Sequence, residues 1–259
     1  MVGCLLHYPD DGNPDGVLTM KSDGSGRRVL AVITARGGSR RIPGKNIRDF
    51  CGSPIIEYSI RAALDSGVFD EVMVSTDDDA IADISRKAGA SVPFMRSAAN
   101  SGDHATTVDA LSEVIDAYGS MGVFFDDVCV IYPTAPFVTA EILAKAYDKF
   151  RSSGAGGLVS VVQFSYPPQR GFRMDEKDGR LSYIYPEYEK SRSQDLEKMY
   201  HDAGQFYFLQ ADIPGSKHTM IPPHTVAYVL DELRVQDIDN ETDWQLAELK
   251  YRLINRDIT

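Results

Sequence analysis

Short apolar runs alternate with amphipathic stretches along most of this chain, and that alternation restricts its fold more than any other feature. Val29 to Thr34 is apolar at nearly every position, as expected of a strand buried on both faces. Pro54 and the segment Ile55 to Leu64 predict a helix closed near Gly67. Val72 to Ser75 is the next strand, followed by a helix with Ile81, Ile84 and Ala88 on one side. Val92 to Met95 reads as a short third strand. Val108, Leu111, Ile115 and Tyr118 recur at helical spacing, with Thr106 or Thr107 opening that helix. Val128 to Tyr132 is a buried strand ended by Pro133; a helix over Ala140 to Phe150 and a strand over Leu158 to Gln163 follow. Such alternation predicts an α/β fold, a Rossmann-like, mainly parallel sheet flanked by helices. Phe206 to Leu209 and Thr225 to Leu230 return as strands after an irregular stretch. Asn240 caps a closing helix, with Asp243 three residues on and Trp244, Leu246, Leu249 and Leu253 as its apolar contacts.

Ligands of such sheets lie beyond the carboxyl ends of the strands. The loops after three predicted strands, at Arg36, at Ser75-Thr76-Asp77 and at Tyr132-Pro133-Thr134, should therefore share one crevice. The first of these, Ala35-Arg36-Gly37-Gly38-Ser39-Arg40-Arg41-Ile42-Pro43-Gly44-Lys45-Asn46, offers glycine amides beside four cations, a chemistry suited to polyphosphate. The window Arg27 to Arg48 holds seven basic residues and no acidic one, although the chain carries −11 overall. Two known phosphate motifs do not fit. Gly38 is followed by five residues, not four, before Gly44-Lys45, and Asn46 replaces the hydroxyl residue of a P-loop. Gly24-Ser25-Gly26 precedes its strand and has Val29 at the third glycine position. A plain turn with solvated arginines remains the bland alternative.

At 259 residues and 43% hydrophobic, the chain can bury one large core, and no apolar run is long enough to span a bilayer. The acidic balance argues against nucleic acid as a partner, since that would need an extended basic face. Cys4, Cys51 and Cys129 lack metal or disulfide spacing and suit reduced thiols in a cytoplasmic protein. Residues 1–28 are turn- and linker-rich, without the features of a signal peptide. They read as a disordered extension or an over-extended start, with Met20 a candidate beginning. Residues 29–259 form one domain, into which the Tyr-, Pro- and charge-rich segment 164–202 is inserted, with Gly179 at a hairpin turn.

The run Ala31 to Ser39 with Pro43-Gly44-Lys45-Asn46, then Val74-Ser75-Thr76-Asp77, Pro133-Thr134-Ala135-Pro136 and Asp237-Ile238-Asp239, resembles the CMP-sialic acid synthetase family. These cytidylyltransferases belong to the nucleotide-diphospho-sugar transferase type of fold and activate nine-carbon 2-keto sugar acids. The resemblance spans roughly Val29 to Ile254. It implies that CTP and a sugar acid are the substrates, that the anomeric hydroxyl attacks the α-phosphate, and that 164–202 is a dimerisation arm of a homodimer.

The implied roles follow residue by residue. Arg36, Arg40 and Lys45, with the amides of Gly37, Gly38 and Ser39, would meet the phosphates; Arg41 either contributes or faces solvent. Asn46 and Arg36 would recognise cytosine and triphosphate, and Arg96 and Thr106 would stand on the nucleotide side, where Thr106 or Asp103 serves a helix start equally well. Asp237 and Asp239, two apart on an extended segment, would hold Mg²⁺, with Asp239 catalytic; an Asp-x-Asp before a helix also suits its positive end. Tyr132 stands where many sialic acid synthetases have Gln. Ser191-Arg192-Ser193-Gln194-Asp195-Leu196 and His201-Asp202-Ala203-Gly204-Gln205 resemble the pseudaminic acid cytidylyltransferase branch. Arg192 would pair with the substrate carboxylate. Tyr132, His201, Asp202 and Gln205 would line the sugar, although Arg192 and His201 serve an interface equally well. N-acetylneuraminate and legionaminate are alternative substrates, and a non-catalytic nucleotide-binding protein is the rival of another class.

Overall fold

The computed structural model describes residues 26–39 and 41–255. Its centre is a six-stranded sheet of β1 (Val29–Thr34), β4 (Glu71–Ser75), β5 (Asp127–Ile131), β6 (Gly157–Gln163), β9 (Tyr200–Gln210) and β10 (Thr225–Leu230), in the order β10-β6-β9-β5-β1-β4. Two-residue strands β2 (Asp49–Phe50) and β3 (Ser53–Pro54) make a hairpin beside it. A second hairpin, β7 (Phe172–Met174) with β8 (Leu181–Tyr183), lies in the inserted segment. β1 pairs parallel with β4 and β5, and β10 with β6, while β9 runs antiparallel between β5 and β6. Five strands therefore end at one edge, and β9 begins there. That reversal delivers His201 and Asp202, opposite Val162 and Val161, to the edge where β1, β4 and β5 finish.

The apolar runs are buried as their composition demands: Val29 to Ile33 and Val128 to Ile131 are all fully buried. One face of the sheet packs on α1 (Ile55–Asp65), α2 (Asp79–Lys87) and α4 (Ala140–Ser153), through Ile60, Ile81 and Phe150 among others. The other packs on α3 (Thr107–Ser120) through Leu111, Val114 and Tyr118, and on the short α5 (Ile213–Lys217). Gly179, at φ 72, makes the expected turn between β7 and β8.

Three expectations need correction. Val92 to Met95 is not a strand: only Ser91 bridges to Met73, because Pro93 has no amide to donate and Arg96 turns back to the Thr76 carbonyl. The expected strand Phe206 to Leu209 starts six residues earlier, since the free side of β6 pairs Tyr200 to Asp202 despite their polarity. In α6 (Glu241–Asn255) the buried face is Trp244 and Ala247, with Tyr251 and Ile254 beside them; Leu246, Leu249 and Leu253 point outward. Most of the expected extension, residues 1–25, lies outside the described residues, but Arg27 grips buried Asp127 with two hydrogen bonds of 3.1 Å, and the Arg28 amide donates to Asp126.

A third cluster sits at the end of the molecule where the strands finish. Ile42 from the cationic loop and Ile238 from between the two aspartates are both buried in it, with Phe50, Ile55, Phe137, Trp244 and Ala247. Phe50 meets Tyr58, Trp244 and Tyr251 edge-on, with ring centroids 5.4–5.6 Å apart. Burying each isoleucine stabilises the fold by about 1.5–3 kcal/mol. Two segments nearly two hundred residues apart are thus anchored in one apolar cluster, and their charged neighbours are brought face to face.

Candidate active site

The loop after β1 takes its shape from a close approach. A Cβ on Gly37 would lie 2.7 Å from an Asp78 carboxylate oxygen and 2.9 Å from the Asp78 Cβ, so glycine is required there. The Gly37 amide donates to Asp77 Oδ1 at 2.9 Å, and the Ser39 amide to the Gly37 carbonyl. Two of the three amides expected to receive phosphate are therefore engaged within the protein. Gly38 has open space above it. Gly44, at φ 63, turns the chain into Lys45 and Asn46. Asn46 is buried, and its side-chain amide donates to the Arg36 carbonyl at 2.9 Å, closing the loop on itself.

The acidic segment meets this loop directly. Arg41 forks Asp239 at 2.7 and 2.8 Å, and Lys45 Nζ donates to the Ile238 carbonyl at 2.5 Å. Arg48 forks Glu241 at 2.7 Å while lying over the Trp244 ring. Asp243 caps α6 reciprocally with Asn240 and also accepts from the Asp239 amide, which fixes the backbone of the aspartate pair. Burial pulls the Lys45 ammonium below the ordinary lysine range, against the attraction of Asp239 and Asp237. Burial in the wall of the recess, then the Asp239 charge, pushes Asp237 above the usual carboxylate value. Arg40 lies outside the described residues.

A cavity of about 430 Å³ opens between the two segments, lined by Thr34, Arg36, Ser39, Arg41, Lys45, Asn46, Tyr132, Pro133, Thr134 and Asp237. Arg36 reaches across its rim to the Gly102 carbonyl and Asp103. A side recess of about 170 Å³ runs from Arg36 and Tyr132 to Arg96, Thr106 and Thr107. Arg96 is buried and donates to both the hydroxyl and the carbonyl of Ser75; burial lowers its pKa, yet a guanidinium keeps its charge. Thr106 is the N-cap of α3, its hydroxyl accepting from the Asp109 amide, so the helix-start role is realised.

A further cavity of about 310 Å³ adjoins on the β6–β9 side, lined by Ser165, His201, Asp202, Glu232, Gln236 and Lys250 among others. Asp237 lines both large cavities. Asp202 accepts from the Tyr207 hydroxyl at 2.6 Å and from the Gly204 amide at 2.8 Å; burial drives the Tyr207 pKa far upward, so that hydroxyl remains a donor. His201 packs against Phe164 at a tilt of 54°, with ring centroids 4.7 Å apart.

Two expected sugar residues are not brought into these cavities. Arg192 is exposed on the inserted segment, paired with Asp195 at 2.7 Å. Gln205 is 1% exposed, and its Oε1 has no hydrogen-bond partner among the described residues. Sequence reasoning placed Asp77 at the crevice but gave it no role, and it missed Asp78, against which Gly37 packs, and the cavity-lining Lys250, whose ammonium holds the carbonyls of Val235 and Glu232. The Ser75-Thr76-Asp77 position at a strand end pointed to the former; a lone lysine in a closing helix gives no signal.

A mainly parallel sheet with a cation-lined cavity beyond its strand ends is an architecture suited to binding phosphorylated ligands. Among solved structures, CMP:2-keto-3-deoxy-manno-octonic acid synthetase complexed with CTP matches this fold with a TM-score of 0.61 at 18% identity, over 89% of this chain and 100% of that one. The chain belongs to the cytidylyltransferase family, whose model matches residues 30–232. It is 42% identical to the pseudaminic acid cytidylyltransferase of Campylobacter jejuni over 86% of this chain and 96% of that protein. It is 35% identical to the CMP-N,N'-diacetyllegionaminic acid synthase of Legionella pneumophila over 85% and 95% respectively.

Proposed function

We propose that this chain couples CTP to a nine-carbon 2-keto sugar acid, pseudaminic acid, giving the CMP-sugar and pyrophosphate. The observation that carries the reading is the cavity shared by the cationic loop and the Asp237–Asp239 segment. Identity to the Campylobacter protein over nearly its whole length supports the substrate. So does Tyr132, a ring where many sialic acid synthetases carry an amide.

In this reading Arg36 and Lys45 meet the triphosphate, with Arg40 as a further cation of the same loop in the sequence, and these charges balance the one growing on the departing pyrophosphate. Asn46 and Arg96, both buried and held by hydrogen bonds, orient the nucleotide side, with Gly38 allowing close approach. The sugar acid occupies the adjoining cavity, its hydroxyls and acylamido groups facing Asp202 and His201, with Tyr132 on the wall of the neighbouring loop cavity. Its anomeric oxygen then approaches the α-phosphate past Asp237, the residue common to both spaces.

Asp237 and Asp239 fit a divalent cation such as Mg²⁺. The Asp237 carboxylate accepts no hydrogen bond from the described residues, and its pKa is raised by burial and then by the Asp239 charge, both of which a bound cation would offset. No group of three or more His, Cys, Asp or Glu suited to a metal occurs among the described residues. The remaining ligands would be phosphate oxygens and water, the usual situation for Mg²⁺. When bound, the ion would neutralise charge on the phosphates during transfer.

The inserted segment exposes Tyr166, Phe172, Met174 and Leu181, an apolar surface suited to a second copy of the chain, and we assign the protein as a homodimer. We assign it to the cytoplasm: Cys51 and Cys129 are free, and among the described residues no helix is long and apolar enough to cross a membrane. Incubation with CTP, Mg²⁺ and a panel of sugar acids, with pyrophosphate measured, tests the reaction. Turnover with pseudaminic acid is expected; turnover with N-acetylneuraminate or legionaminate alone would overturn the substrate assignment.

A further inference from the structure

Arg41 has two possible roles in the sequence, phosphate partner or solvated side chain, and the structure gives it a third. Its guanidinium forks both carboxylate oxygens of Asp239, at 2.7 and 2.8 Å, from a position on the wall of the loop cavity. We propose that Arg41 couples nucleotide binding to cation binding: it covers Asp239 until a triphosphate draws the guanidinium away, which frees that carboxylate for the divalent ion. The inference rests on the reading of Asp237 and Asp239 as metal ligands.

Three observations carry it. A bidentate guanidinium occupies the oxygens a hard cation would use, and the two positive charges repel at that distance, so the two partners exclude each other on Asp239. The pair is open to water, with side chains 69% and 39% exposed, and exposed pairs are weak, so a polyanion can displace the carboxylate. Arg41 lines the same cavity as Arg36 and Lys45, so its head group reaches a bound triphosphate without leaving the site. Lys45 behaves differently. Its ammonium holds the Ile238 carbonyl rather than a carboxylate and keeps the segment in place while Arg41 moves. The consequence is that Arg41 guards one carboxylate of the pair, while Asp237 has no such cover among the described residues.

The test is Mn²⁺ binding in the absence of nucleotide, read by electron paramagnetic resonance, for the full chain and for Arg41→Ala, Asp239→Asn and the double variant. Arg41 is a surface residue, and thermal melts check that each variant is folded. Arg41→Ala should bind Mn²⁺ at least about fivefold tighter than the unaltered chain, the lower end of usual coupling between sites. The double variant should bind no tighter than Asp239→Asn, because the gain acts through the Asp239 carboxylate. Equal affinity in Arg41→Ala and the unaltered chain would overturn the proposal. So would a gain that persists in the double variant, which would mean that Arg41 acts only by its field on Asp237. Failure of the underlying metal reading is distinguishable: Asp239→Asn would then bind Mn²⁺ with CTP as tightly as the unaltered chain does.

Discussion

The cationic loop with its acidic partner segment and the inserted arm are both irregular, both polar, and built on opposite principles. The loop and the 237–241 segment are pinned from beneath by Ile42, Ile238 and Trp244, each at most 2% exposed. The arm, 164–202, has few buried side chains and instead exposes Phe172, Met174, Leu181 and Ile184. Charged groups can be held in a working arrangement when apolar anchors lie directly below them. Where anchors are missing, large apolar side chains stay exposed.

The largest effect should come from removing the anchor. Trp244→Ala deletes a buried ring that touches Phe50 and supports Arg48, and should cost about 3–5 kcal/mol, lowering the melting temperature by roughly 10 °C. A melt within a degree or two of the unaltered chain would contradict the anchoring argument. Asp239→Asn keeps the shape and removes charge; turnover should fall by roughly 10²-fold or more while CTP binding stays detectable. Unchanged turnover would remove the metal role. Lys45→Ala should raise KM for CTP or lower kcat about tenfold or more, as expected for a lost charged hydrogen bond. Normal kinetics would return the loop to a plain turn.

Two smaller effects sharpen the contrast. Asp237 must be ionised to bind a cation, and its pKa is raised in the free protein by burial and by Asp239. The acid limb of kcat/KM should therefore lie above the ordinary carboxylate range of about 4 and disappear in Asp237→Asn. An acid limb unchanged by that substitution would assign it to another group. In the arm, Leu181→Asp should alter the stability of the single chain by no more than about 0.5 kcal/mol, as for other surface sites. Its effect should be on sedimentation, shifting the protein from dimer to monomer; an unaltered dimer would place the interface elsewhere.

These contrasts also explain how much was legible in the sequence. β1, β4 and β5 are buried on both faces, so their apolar runs announce them, and the gathering of their following loops at one edge follows from parallel pairing. Tyr200 to Gly204 gave no strand signal because its pairing is imposed by β6 rather than by its own side chains. The outward leucines of α6 misled for a related reason: hydrophobicity does not say which stripe of a helix finds a partner, and Trp244 and Ala247 found it. In the site, the density of cations in Arg27 to Arg48 and the Asp-x-Asp spacing were readable. The Arg41–Asp239 fork was not, because it spans 198 positions and depends on two buried isoleucines that look unremarkable in the sequence.

The central claim is that loop and acidic segment form one nucleotide site. A crystal structure of the protein with CTP and Mg²⁺ tests it most directly. The triphosphate should lie in the cavity between Lys45 and Asp237, with Arg41 turned from Asp239 to phosphate. CTP bound elsewhere, with that cavity holding only solvent, would contradict the account.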